Sequence, residues 1–292
     1  MSDDNTIMQR KGYTLKSEVL YDTDNKPITI WRKIEKMAIV PIELSETVFY
    51  LYPTVESAAK DLEIGGTGFF VRHNDFVYAV TNRHVIEKDE AIVIRVNNHE
   101  GTVEIIDVSS AHWKFHNDNV TDVAIARIDT ENLEATKYRC INSNVFLSKD
   151  IIEQIELGMG NDVFMVGRFV HQSGKEFNTP AARKGMISLP PIEGQPVKLN
   201  RIEQEAFLIE MQSICGFSGS PVFHKTHILS NAEYRAKSIG DFDRETIPDW
   251  LWLVGIDAGH FRNPMTRINS GISVVIPAWK ILEVLNHIEK SQ

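Results

Sequence analysis

Apolar residues along this chain recur in short runs, not in long helical stripes. From Met37 onward, brief apolar or alternating stretches are separated by Gly, Asn, Asp and Pro. That texture predicts many β-strands joined by turns. A first group of expected strands covers 37–42, 47–52, 68–72, 76–81, 91–96, 102–107 and 122–128. A polar bridge over roughly 129–154 separates it from a second group at 163–170, 184–189, 206–211, 220–224, 251–257 and 271–276. Short strands at this density, with few helical patterns among them, predict barrels or sandwiches.

The chain closes differently. After Pro277, the apolar residues Ala278, Ile281, Leu282, Leu285 and Ile288 fall at helical spacing, and proline suits the first turn of a helix. A single apolar face of this kind predicts a helix that docks on a domain. Residues 1–36 mix charge with short apolar pieces and read as an N-terminal extension, ordered in part at most. The expected division is therefore a first β-domain over 37–150, a second over 151–276 and the helix over 277–292. A long polar stretch at 225–250 interrupts the second domain. Its length fits a functional loop, an added subdomain or a disordered segment.

Composition narrows the class. The chain has 292 residues, 42% hydrophobic and 24% charged, which suits a soluble protein with one large domain or two small ones. Its net charge is −9 and no run of Lys and Arg forms a stripe. Nucleic acid and anionic membrane are thereby disfavoured as partners. The acidic start Met1–Thr6 lacks the basic and apolar segments of a secretory signal, and no apolar run approaches the roughly 18 residues of a membrane span. Two cysteines, Cys140 and Cys215, offer no disulfide framework and suit a reducing compartment. The expectation is a cytoplasmic protein.

Candidate chemistry centres on Cys215-Gly216-Phe217-Ser218-Gly219-Ser220-Pro221. Glycines on both sides of a serine allow a sharp turn that presents the hydroxyl outward, with backbone N–H groups aimed at the same space. An ordinary structural turn has the same composition. A nucleophilic serine needs a base, and among ten histidines His84 stands out. It follows the apolar run 76–81, which pairs through His73-Asn74-Asp75 with the run behind Gly65–Gly68. The acid that orients an imidazole is largely buried and stays ionised. Asp122, opening an apolar run, suits that role, and Asp118 in a polar run competes with it. The order His, Asp, Ser distinguishes one fold from the others that carry such triads. His112 with His116, and His224 with His227, have metal-compatible spacing but lack the Glu or Cys partners of known sites. Gly65–Gly68 is not followed by the Gly-Lys-Ser/Thr of a phosphate loop. Neither metal nor cofactor is expected.

Four segments carry a family resemblance: Gly66-Thr67-Gly68-Phe69, Thr81-Asn82-Arg83-His84-Val85, Thr121-Asp122-Val123-Ala124 and Gly216-Phe217-Ser218-Gly219-Ser220-Pro221. Together they resemble trypsin-like (chymotrypsin-fold) serine peptidases, with the flavour of the disulfide-free bacterial type that includes the high-temperature-requirement peptidases. The runs Val254–Gly259 and Ser270–Ile272 are similar to the family's later strands. The resemblance implies an all-β protein of two six-stranded antiparallel β-barrels with a C-terminal α-helix. It implies Ser218 as nucleophile, His84 as general base and then acid, and Asp122 as the group orienting His84. The N–H groups of Gly216 and Ser218 would bind the oxyanion. Gln212, Asp257, Gly259 and Gly271 fall on substrate-binding positions, Gln212 where trypsin has its pocket aspartate. A carboxylate at 257 would favour a basic or amide side chain. Phe217 replaces the aspartate that pairs with a clipped N-terminus in secreted relatives, so no activation by clipping is expected. Ser220 replaces the usual second glycine. The implied activity is a serine endopeptidase acting on protein or peptide substrates, with a regulatory protein as a further expected partner. The competing expectation is a catalytically silent module that binds peptides or proteins, and an esterase would share the mechanism.

Overall fold

The computed structural model describes the backbone of residues 7–10, 13–21 and 27–34, and then residues 42–62, 65–87, 93–108, 113–199, 202–225, 251–263, 265–266 and 268–290. The chain divides into two units, 1–42 and 43–292. The first holds β1 (Ile7–Arg10), β2 (Tyr13–Tyr21) and β3 (Pro27–Ile34) in an antiparallel sheet of their own. This region, read from sequence as an extension, thus carries regular backbone pairing. All but the last residue of the expected strand 37–42 lie outside the described residues.

The second unit begins with β4 (Val48–Tyr52), α1 (Val55–Lys60), β5 (Thr67–His73), β6 (Phe76–Thr81) and α2 (Arg83–Glu87). There follow β7 (Val93–Asn97), β8 (Val103–Asp107), β9 (Lys114–Phe115), β10 (Ala124–Ile128) and β11 (Ile141–Asn142). Within the expected polar bridge, Ser148 caps the short helix α3 (Lys149–Gln154) by accepting from the Ile151 N–H, as N-cap serines do. The later strands are β12 (Asp162–Gly167), β13 (Ala181–Leu189), β14 (Val197–Leu199), β15 (Ile202–Gln204), β16 (Phe207–Glu210), β17 (Pro221–Lys225), β18 (Leu251–Arg262) and β19 (Asn269–Pro277), before α4 (Ala278–Lys290). The 226–250 stretch lies outside the described residues.

Strands of the first half form an eight-stranded sheet in the order β8-β7-β4-β5-β6-β10-β9, with β11 parallel to β5. It surrounds a core of Phe49, Leu51, Phe70, Ala79 and Ile94. The second half closes completely, β12-β13-β16-β19-β18-β17. Its interior is filled by Val163, Met165, Ile187, Phe207, Ile209, Phe217, Val222, Val254 and Val275. The all-β architecture with a closed six-stranded barrel and a C-terminal helix is the one the sequence predicts, while the sheet of the first half counts eight strands where six were expected.

Two features fix one half against the other. Helix α4 buries Ala278, Trp279, Ile281, Val284, Leu285 and Ile288 and touches β9 and β10 of the first half as well as β18 and β19 of the second. Its Glu283 also meets His116 at 2.7 Å. The other feature is polar. Asp61, just after α1, accepts from Tyr52 at 2.5 Å and from Arg168, beyond the end of β12, at 2.8 Å. The fully buried Arg95 of β7 donates to Asn178 at 2.9 Å and to the carbonyl of Lys175 at 2.7 Å. Buried guanidinium groups are tolerable only with such partners.

Candidate active site

His84 is the second residue of α2, directly after β6 and the turn residue Asn82. The Asp122 carboxylate meets it twice: Oδ1 accepts from the His84 backbone N–H at 2.9 Å, and Oδ2 lies 2.7 Å from Nδ1. The imidazole is 32% exposed and the carboxylate 12%, so the ring faces solvent while its partner is mostly covered. Asp122 is itself clamped. Its N–H donates to Gln204 Oε1 at 3.1 Å and its carbonyl accepts from Asn82 Nδ2 at 2.9 Å.

Asp118, the competing acid, takes no part in this contact. It accepts from the N–H groups of Val120 and Thr121 and from the Thr121 hydroxyl. Burial raises its pKa, but these bonds and His116 win and hold the carboxyl well below its ordinary range. It shapes the loop that delivers Asp122. Arg83 steadies the same loop by donating to the Asn119 carbonyl at 3.2 Å.

Ser218 sits half-buried on a turn between Gly216 (φ +96°) and Gly219 (φ +89°). Both glycines occupy the left-handed region that side chains disfavour. At Gly219 an added Cβ would also lie 1.9 Å from the Thr67 carbonyl, so no other residue fits. The turn is held by Ser220 N–H on the Phe217 carbonyl at 2.8 Å, and by Gly219 N–H on the Asp257 carbonyl at 2.9 Å. Phe217 is fully buried in the second barrel's core. The turn lies beside α2: the space a Cβ at Gly66 would need is bounded by the Ser218 carbonyl and the Val85 side chain, each at 2.8 Å.

The four expected substrate-binding positions separate into two kinds. Gln212 is exposed, and Gly259 and Gly271 are half-buried with φ of +122° and +82°. Gly271 accepts from the Met211 N–H at 2.8 Å, which puts it beside Gln212. Asp257 is fully buried. Its Oδ2 accepts from the Ser213 hydroxyl at 2.7 Å, while Oδ1 meets no donor in full hydrogen-bonding geometry among the described residues, the Gly259 N–H and the Ser273 hydroxyl lying nearby. Burial pushes this carboxyl up to about 7, against the lowering influence of the Ser213 hydroxyl, the Gly259 N–H, the nearby His84 and Ser273.

Among the described residues, no group of three or more His, Cys, Asp or Glu is placed to hold a metal ion. His116 is engaged with Asp118 and Glu283, and His224 with the Asp162 carbonyl. His112 and His227 lie outside the described residues. Cys215 is exposed and Cys140 buried. No helix among the described residues is long and apolar enough to cross a membrane.

Several residues that shape the site have no role assignable from the sequence: Thr67, Gln204 and Ser213. Only Thr67 carries a signal, as the lone hydroxyl between two glycines.

A family model described as a trypsin-like peptidase domain matches residues 66–228, more than half of the chain. No curated protein matches the sequence. Among solved structures, the HtrA-type protease AlgW, in a serine-to-alanine form with a tripeptide, aligns with a TM-score of 0.50 and 18% identity over 84% of this chain and 61% of that one. AlgW with a decapeptide gives 0.45 and 19%, over 77% and 51%. The chain therefore spans about three fifths of the first structure's length or less, and the likeness is one of fold.

Proposed function

Because the chain belongs to the trypsin-like peptidase family, we propose that it is a serine endopeptidase that cleaves peptide bonds through an acyl-enzyme. The observation that carries the proposal is the double contact of Asp122 with His84 beside a glycine-flanked serine turn. With Nδ1 donating to Asp122, Nε2 is the nitrogen that takes the Ser218 proton. The hydroxyl oxygen then attacks the scissile carbonyl, and the N–H groups of Gly216 and Ser218 bind the resulting oxyanion. Protonated His84 returns its proton to the departing amine. Water, deprotonated by the same nitrogen, releases the acyl group and restores Ser218. Asp122 holds the ring's tautomer and offsets the charge of the imidazolium.

On this reading Gln212, Gly259 and Gly271 face the substrate, and Asp257 stands behind them. Fully buried and bonded to the equally buried Ser213 hydroxyl, the Asp257 carboxyl does not meet the substrate's side chain, and the expected preference for basic or amide groups loses its direct basis.

A fluorophosphonate probe tests the reaction. The wild type is expected to be labelled at Ser218 and to hydrolyse casein, while Ser218→Ala loses labelling and about four or more orders of magnitude in turnover. A wild type that binds peptides yet is never labelled would make the chain a silent peptide-binding module and overturn the proposal.

A further inference from the structure

Thr67 opens β5 in the first half, yet its bonds belong to the serine turn of the second. Its N–H donates to the Ser218 carbonyl at 2.8 Å, and its Oγ1 lies 2.7 Å from the Gly216 carbonyl. The same Oγ1 is 2.9 Å from the Arg168 N–H, and the Thr67 carbonyl accepts from the Thr81 hydroxyl at 2.8 Å. Every polar atom of this residue is thus engaged, and the side chain is fully buried.

The direction of each bond is unambiguous. A carbonyl only accepts and an amide N–H only donates, so the hydroxyl donates to Gly216 and accepts from Arg168. The carbonyls of Gly216 and Ser218 bracket the nucleophile on both sides. Thr67 therefore fixes the peptide planes at 216–217 and 218–219 from across the molecule. Gly216 needs such a restraint because a residue without Cβ rotates freely through alternative conformations. If the hydroxyl is removed, the Gly216 carbonyl and the Arg168 N–H each lose a buried hydrogen bond. Turning the Gly216 carbonyl toward water relieves one of these losses, but it swings the 216–217 peptide and breaks the Phe217 N–H bond to the Ile214 carbonyl. Through the flanking torsions it also shifts the neighbouring peptides that carry the Gly216 and Ser218 N–H groups.

We infer that Thr67 is a positioning residue of the active site, whose hydroxyl holds the Gly216–Ser218 turn in its oxyanion-binding shape. The inference rests on the serine-peptidase reading above. It deepens that reading by making the first half a contributor to the nucleophile turn as well as to the His84–Asp122 pair.

The test compares Thr67→Val, which keeps the shape and loses the hydroxyl, with Thr67→Ser, which keeps the hydroxyl. Thr67→Val is expected to lower kcat on a fluorogenic peptide by about 10- to 100-fold, the effect of a small misplacement near the chemistry, with KM within about twofold. Affinity for a peptide boronate should fall in parallel. Thr67→Ser should stay within a few-fold of wild type in all three. If Thr67→Val does not fold, Thr67→Ala against Thr67→Ser makes the same comparison. Equal kcat in the variants with and without the hydroxyl would overturn the inference, as would a loss confined to KM. A wild type inert to fluorophosphonate would instead defeat the peptidase reading itself.

Discussion

Asp257 is a carboxylic acid that the fold forces to keep its proton to an unusual pH. Burial raises it to about 7, so between about pH 4 and pH 7 the folded chain binds a proton that the unfolded chain has released. Stability from this group is complete below the ordinary carboxylate range and is lost as pH rises through about 7. Asp257→Asn keeps an acceptor for the Ser213 hydroxyl and removes the titration. Thermal melts of the two proteins should converge near pH 4. By about pH 8 the variant should melt higher by roughly 8–16 °C, since raising a carboxyl from its ordinary value to about 7 is worth about 4 kcal/mol and each kcal/mol about 2–4 °C in a protein of this size. Asp118, held well below its ordinary range, has the opposite sign and loses its contribution as pH falls. It is common to both proteins and cancels in the comparison. Parallel melting curves across the range would show that Asp257 is ionised throughout.

At the scale of elements, the serine turn is shaped by close approach more than by its own sequence. Gly219→Ala combines an unfavourable φ with a methyl group 1.9 Å from the Thr67 carbonyl. Urea unfolding is expected to show a loss of roughly 2–4 kcal/mol, and an unchanged midpoint would contradict the geometry. How well elements could be read from sequence follows from how local their causes are. Strand β6 matches its expected span of 76–81 because its apolar run ends at Asn82. Strand β12 stops at Gly167, short of the expected 170, because Arg168 turns out to reach Asp61 and Thr67. Strand β18 runs on to Arg262, past the expected 257, because bulges near Asp257–Gly259 and His260–Arg262 break the alternation that periodicity detects. Helices α1 and α2 are too short to show a helical period, although Thr54 and Ser57 form a capping box before α1. The site divides along the same line. His84, Asp122 and Ser218 sit in local motifs, whereas Thr67 takes its meaning from Gly216, 149 residues away. Ser213 depends likewise on Asp257, 44 residues on.

At the scale of the whole molecule, the unit 43–292 contains both halves, the helix that touches each of them and every bond described at the site. A protein truncated to 43–292 is therefore expected to melt cooperatively within about 3 °C of the full chain and to keep its near-ultraviolet circular dichroism. Loss of a cooperative melt would show that 1–42 is required for the fold. Each half supports the other's part of the site. Asp122 beside His84 takes a bond from Gln204 of the second half, while the serine turn takes its shape from Thr67 in the first half and from Asp257 on β18. Synthesis from the N-terminus puts these supports in an order in time. A growing chain acquires its histidine and aspartate first, then its serine, and only afterwards β18, β19 and the closing helix. While it is still attached to the ribosome and close to other unfolded chains, it carries a serine whose turn has no β18 to hold it. On the proposed reading, a chain stalled before residue 251, where β18 begins, is expected to escape fluorophosphonate labelling, and labelling of such a chain would show that the turn forms without β18.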